Sequence, residues 1–243
     1  MNICIDQGNT STKVGGFENN ELVFTQSFSN LTNDDLIVIS KDYKPESIIV
    51  SSVVDDSIVL WEAFKQFKYS IFLNHTTAIP INNYYKTPKL LGNDRIAAMV
   101  GAFYLKPKSN ALVIDIGTAI TFDYLDSNGN YHGGNIAPGI ELRFRSLFEN
   151  TKKLPYIKAN FQKNIPFMGN DTYSAIECGV INGVGLEIDG YIEQLKLKYS
   201  ELSTFLTGGN AYYFDGKLKN PIFVDQYLVL KGLNRILEYN VQK

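Results

Sequence analysis

Apolar positions along this chain follow two periods, and each change from one period to the other marks an element. Residues 3–5 form a short β-prone run closed by Asp6. Gly8 and Asn9 turn the chain, and residues 14–17 set off again as an apolar strand. After the polar turn Glu18-Asn19-Asn20-Glu21, residues 22–28 alternate as a third strand. Residues 32–39 predict a short helix with Thr32 or Asn33 as its cap. Residues 47–53 are a β-branched run of buried-strand character. Asp55 or Asp56 then caps a predicted helix whose Ile58, Leu60, Trp61, Phe64 and Phe67 fall at helical spacing. A short strand over 69–73 follows. A meander leading into helix–strand–helix–strand predicts an α/β half-molecule with a mixed sheet.

Residues 74–91 lack periodicity and hold Pro80 and Pro88, so they read as a connector. Ile96, Met99, Val100 and Phe103 mark a helix that begins at Gly92-Asn93-Asp94-Arg95. From residue 111 the opening pattern returns. Asp115 and Gly117 stand 109 positions after Asp6 and Gly8 (115 − 6 and 117 − 8), and Thr121 stands at the same offset from Thr12. The turn Ser127-Asn128-Gly129-Asn130 matches Glu18-Asn19-Asn20-Glu21 in that register. Two copies of one supersecondary unit are expected, with halves at 1–91 and 92–243, because a solenoid needs at least three repeats. The third strand of the second copy runs through Tyr131 to Gly139, and a helix covers 140–148. Residues 154–167 predict a Pro-punctuated loop, and 171–199 a helix with Gly183 and Gly185 as candidate break points. Residues 204–211 read as a strand ending in a third glycine turn, and 226–239 as an amphipathic helix.

Composition narrows the partners. With 243 residues, a net charge of −2, 44% hydrophobic and 20% charged residues, the chain has ample length for globular cores. Its Lys and Arg residues are scattered, so no nucleic-acid surface is expected and any anion site must be local. Cys4 and Cys178 sit in apolar runs and read as buried thiols of a reducing compartment. No apolar run approaches the ~20 residues that span a bilayer. A soluble cytoplasmic protein without a membrane partner is expected.

Candidate chemistry lies at the strand ends. A glycine turn lets backbone N–H groups approach an anion, and Thr10, Thr12 and Lys13 add donors and charge. Asp6 cannot hold phosphate itself but can hold a divalent cation beside it. The same residues are also an ordinary hairpin turn. The turns near Gly8, Gly117 and Gly208 can serve one nucleotide if the two units face each other, the third by admitting a flat ring. Arg95 is a natural bidentate clamp for a carboxylate, and Asp94 can accept a proton from a substrate hydroxyl. Both also suit a plain helix N-terminus. His75 and His132 have no zinc spacing, and neither a Walker phosphate loop nor a Gly-x-Ser-x-Gly elbow is present.

These segments resemble the acetate and sugar kinase, heat-shock chaperone and actin superfamily, and more closely the type III pantothenate kinase family. The likeness rests on residues 6–13, Tyr85-Lys86-Thr87-Pro88, 91–95, Asp115-Ile116-Gly117-Thr118-Ala119, 133–139 and Thr172. It implies two ribonuclease H-like (actin-like ATPase) units with the ligand cleft between them. It further implies an ATP-dependent kinase that makes 4'-phosphopantothenate, first in coenzyme A biosynthesis. Asp6, Gly8, Asn9, Thr10, Thr12 and Lys13 would bind the ATP phosphates and magnesium, with Asp6 on the metal, and Thr118 would also contact ATP. Asp115 would hold a monovalent cation, potassium or ammonium. Tyr85, Gly92, Asn93, Asp94 and Arg95 would bind pantothenate, with Asp94 as catalytic base, and Thr172 would complete the site across a homodimer. Gln7 departs from the family pattern, which has an apolar residue there.

Overall fold

A computed structural model describes residues 1–52, 64, 67–161, 165–199 and 201–241. The helix expected after Asp55 therefore lies outside the described residues except for Phe64 and Phe67. The chain forms two compact units. One joins Met1–Lys108, Leu125–Gly133 and Tyr227–Lys243, and the other joins Ser109–Tyr124 and Gly134–Gln226. Neither is a continuous stretch of sequence, whereas the expected halves 1–91 and 92–243 were.

In the first unit β1 (Asn2–Gln7), β2 (Thr12–Glu18), β3 (Glu21–Phe28), β4 (Ser47–Ser52) and β5 (Tyr69–Phe72) form a mixed sheet in the order β3-β2-β1-β4-β5. The first three strands are an antiparallel meander, and β4 lies parallel to both β1 and β5. Strand alternation gives the sheet two apolar faces. On one, Ile3, Ile5, Val14, Ile48 and Val50 pack with Leu36 and Ile39 of α1 (Asn33–Tyr43) and with Phe64 and Phe67. Thr32 caps α1, its hydroxyl accepting from the Asp35 N–H while the Asp35 carboxylate accepts from the Thr32 N–H. Burying each such Ile, Leu or Phe is worth about 1.5–3 kcal/mol, so this face is a principal source of the unit's stability.

The other face is covered by α2 (Asn93–Leu105) and the C-terminal α5 (Leu228–Val241). These helices touch through Gly101 and Gly232, where a Cβ would overlap the Leu228 and Ala97 carbonyls. Two glycines thus allow a backbone approach that no larger residue permits. The expected connector also carries the two-residue strand β6 (Asn82–Asn83), paired in parallel with the start of β9.

In the second unit β7 (Asn110–Ile116), β8 (Ala119–Leu125, all but its last residue), residues 134–138 of β9 (Asn130–Pro138), β10 (Leu202–Thr207) and β11 (Phe223–Val224) run in the order β11-β10-β7-β8-β9, while residues 125 and 130–133 belong to the first unit. Their core packs against α3 (Ile140–Glu149) and α4 (Thr172–Lys198). Helix α4 passes Gly183 and Gly185 without a break, contrary to expectation. Interior glycine costs about 1 kcal/mol relative to alanine. Ile176, Val180, Val184, Ile188 and Ile192, four apart, bury a continuous stripe that outweighs it. Asp171 caps the helix by accepting from the Tyr173 and Ser174 N–H groups at 2.9 and 3.1 Å. Among the described residues, no helix is long and apolar enough to cross a membrane.

Candidate active site

The first unit collects most of the expected residues at the carboxyl ends of its parallel strands, where open α/β sheets place their ligands. Asp6 lies one residue before the end of β1, opposite Lys13 on β2. Between them the Gly8 N–H donates to the Ser11 carbonyl at 3.1 Å, which leaves Asn9, Thr10 and Ser11 exposed at the tip. Thr12 is 3% exposed, so among the turn's hydroxyls those of Thr10 and Ser11 meet solvent. The Gln7 side-chain oxygen is buried without a hydrogen-bond partner among the described residues. The residue that departs from the family pattern thus carries an unsatisfied amide oxygen beneath the turn.

Two strands along, the Asn93 side-chain amide donates to the Leu73 carbonyl at 2.8 Å. This bond ties the start of α2 to the end of β5. Gly92 precedes the helix, and a Cβ there would overlap the Asp94 carboxylate. That carboxylate accepts from the Arg95 N–H at 2.8 Å. Arg95 is buried, and its guanidinium carbon lies 5.5 Å from the centre of the Tyr85 ring, within cation–π range. Tyr85 in turn stacks on Tyr131, with centroids 6.1 Å apart and planes 6° from parallel. Gly133, at φ +98°, leaves room for the Tyr85 ring, which a Cβ would approach to 2.9 Å. An aromatic pair thus holds the one buried charged residue of α2, next in sequence to the proposed base.

In the second unit three glycines bring separate segments around Asp115. The Gly117 N–H donates to the Ala119 carbonyl, and the Gly139 N–H to the Thr118 carbonyl, both at 3.0 Å. A Cβ at Gly139 would overlap the Gly117 and Thr118 carbonyls. A Cβ at Gly208, which has φ +92°, would overlap the Asp115 carboxylate and the Ile116 backbone, and the Asn210 N–H donates to the Ile116 carbonyl at 3.2 Å. Of the expected glycine turns, those near Gly117 and Gly208 therefore meet. Gly139 was quoted from the sequence only as part of a motif, and its packing role has no local signal.

Thr172 is exposed at the first turn of α4 and lines a cavity of about 640 Å³ with Arg143, Pro138, Leu147 and Gly179 among others. Neither Asp115 nor Thr118 lines it. Arg143 donates to the Pro138 carbonyl at 2.8 Å and pairs with Glu187. Sequence reasoning missed this cation, since a single arginine among scattered charges carries no signal. Among the described residues, no three His, Cys, Asp or Glu side chains gather into a metal cage. A cation at Asp6 or Asp115 would take its remaining oxygens from carbonyls, water or a ligand.

Two mixed sheets, each entered by a strand with an acidic end and a glycine turn, define the duplicated ribonuclease H-like class of actin-like ATPases and kinases. Solved structures share this fold. A Baf family protein from Campylobacter jejuni matches with a TM-score of 0.62 at 24% identity, covering 99% of this chain and 100% of that one. A Sinorhizobium meliloti protein described as a 2-dehydro-3-deoxygalactonokinase matches with a TM-score of 0.60 at 12% identity, covering 99% of each. The sequence is more specific. The type III pantothenate kinase family model matches residues 2–194, and the Type III pantothenate kinase of Phocaeicola vulgatus is 45% identical over 241 residues, 99% of each chain. The chain belongs to the type III pantothenate kinase family.

Proposed function

We propose that this protein transfers the γ-phosphoryl group of ATP to the primary hydroxyl of pantothenate, giving 4'-phosphopantothenate, the first step of coenzyme A biosynthesis. Family membership over nearly the whole chain carries this reading. The Asp94–Arg95 pair at the start of α2 supports it, because pantothenate offers both a hydroxyl and a carboxylate.

Phosphoryl transfer asks mainly for positioning and charge neutralisation. Gly8, Asn9, Thr10, Thr12 and Lys13 form the first phosphate turn, and Thr118 belongs to the second. Asp6 fits a divalent ion, since one carboxylate leaves the other positions to phosphate oxygens and water. Magnesium bound there would neutralise charge on the transferring phosphates. Asp115 lies beside the Gly208 turn and within three residues of the Gly117 and Thr118 carbonyls. Such hard oxygens suit a monovalent cation such as potassium or ammonium. Arg95 clamps the pantothenate carboxylate, Tyr85, Gly92 and Asn93 shape its seat, and Asp94 accepts the hydroxyl proton.

Thr172 adds a substrate contact in a site completed by a second copy of the chain. The large apolar side chains exposed around it, Phe167, Met168 and Tyr173, favour such a homodimer. The two free thiols, Cys4 and Cys178, suit a cytoplasmic enzyme.

A phosphate-transfer assay over a panel of hydroxy acids and sugars tests the substrate, with Asp94→Asn in parallel. Pantothenate should be the preferred acceptor, and Asp94→Asn should lose at least the factor of about 10²–10⁴ that a positioned base supplies. Its fold and ATP binding should be largely retained. Near-normal turnover by the variant would remove Asp94 from its role, and indifference to pantothenate would overturn the function.

A further inference from the structure

Ser51, one residue before the end of strand β4, is 0% exposed, and its hydroxyl has no hydrogen-bond partner among the described residues. Burying a hydroxyl without a partner is unfavourable, so the position calls for an explanation. Its neighbours supply one. Ser51 is the parallel register partner of Asp6, so the two side chains leave the same face of the sheet from strands about 5 Å apart. Lys13 flanks Asp6 on its other side, from β2. Beyond β4 lies β5, and the Leu73 carbonyl at its end receives the Asn93 bond that fixes the start of α2. Ser51 thus stands between the carboxylate of the first turn and the strand that seats the Asp94 helix.

We infer that Ser51 is a positioning residue for Asp6. Its hydroxyl donates to the Asp6 carboxylate, after rotation about χ1 or through one ordered water, once a divalent cation and nucleotide fix that carboxylate. The inference rests on the reading of Asp6 as the cation-side carboxylate. A carboxylate that gives one oxygen to a cation needs its other oxygen held, and a hydroxyl donor holds it without competing for the metal. Removing such an outer partner costs about 10–100-fold in metal affinity. The alternative is a serine that only fills space beside the sheet, and the two differ in sign. Serine as filler predicts a loss of stability on truncation and no change in cation affinity. Serine as a positioning group predicts unchanged or higher stability of the free protein, because an unpartnered buried hydroxyl is removed, together with weaker cation binding.

The experiment uses the full chain, as Ser51→Ala, the near-isosteric Ser51→Cys, and Asp6→Asn. Thermal unfolding is measured without ligand, and binding of magnesium with a non-hydrolysable ATP analogue is measured by calorimetry. Both Ser51 variants should melt at or above the wild-type temperature and bind the magnesium–analogue pair about 10–100-fold more weakly. In turnover, the magnesium concentration for half-maximal rate should rise more than kcat falls. Wild-type affinity in both Ser51 variants, whatever their melting temperatures, would overturn the inference. If Asp6→Asn also keeps wild-type affinity, the reading of Asp6 falls with it. If Asp6→Asn loses binding while the Ser51 variants do not, only the role of Ser51 falls.

Discussion

The β1–β2 turn of the first unit and the β7–β8 turn of the second share one pattern, an aspartate at a strand end followed two residues later by glycine. Their surroundings differ. Around Gly8 the nearest foreign atom to an added Cβ is the Ser11 carbonyl at 3.3 Å, and the turn's tip is open. Around Gly117 the chain is walled in by Gly139, bonded to the Thr118 carbonyl, and by Gly208, at positive φ, where a Cβ would overlap the Asp115 carboxylate. The hairpins that follow differ as well. The first turns through Asn19 and Asn20, both at positive φ, as a two-residue primed turn does. The second is gathered by Asp126, which accepts from the Asn128 and Asn130 N–H groups, from the Asn130 side chain, and at 2.8 Å from His132. Repetition of a sequence pattern thus repeats the path of the chain but not its environment. The first turn is open to solvent at its tip, and the second is backed by two further segments of chain.

Substitutions at the two aspartates should separate the copies most sharply. Asp6→Asn should destroy the response of turnover to magnesium, and Asp115→Asn the response to potassium or ammonium, each with a loss of about tenfold or more. Rate measurements against each cation check this, and one variant that lost both responses would erase the distinction. Glycines come next. Gly208→Ala forces a Cβ into the Asp115 carboxylate at an unfavourable φ and should cost about 1–3 kcal/mol in chemical denaturation. Gly8→Ala should cost much less stability while weakening nucleotide binding, and equal stability losses would contradict the contrast.

The smallest effect concerns acid. Burial alone raises the Asp126 carboxyl, but the hydrogen bonds from His132, Asn130 and Asn128 outweigh it and hold it at about 2, below the usual 3.8. A depressed carboxyl stabilises the fold above its unfolded value, and that stability is lost as pH falls from about 4 towards 2. Asp126→Asn should therefore be slightly less stable than wild type at neutral pH, and the difference should vanish in that acid window. Because the carboxylate is only partly buried, solvent screening keeps the effect small. Parallel denaturation curves at every pH would show that the bonds contribute nothing.

Much of this was legible in residues alone. The strand–turn–strand repeat, the Thr32 cap, the helix over 171–199 and the motifs at Asp6, Asp94 and Asp115 are local signals of period or turn chemistry. Two local readings failed for one reason. Gly183 and Gly185 suggested a break that the buried stripe of α4 overrides, and residues 74–91 hid a strand whose partner lies 48 positions away, as Asn82 is to Asn130. Propensity gave way to packing in both cases.

By itself, then, the sequence determined most of the elements and their duplication, and it marked the residues proposed to handle phosphate, cation and hydroxyl, because each is written in residues a few positions apart. Only the tertiary structure decided that α2 and α5 cover the first sheet through Gly101 and Gly232. It likewise decided that Tyr85 lies over Arg95, that three glycine segments enclose Asp115, and that Ser51 is buried beside Asp6. Those are contacts between residues tens to hundreds of positions apart. A glycine's need for space or a hydroxyl's lack of a partner has no local signature until the neighbouring chain is in place.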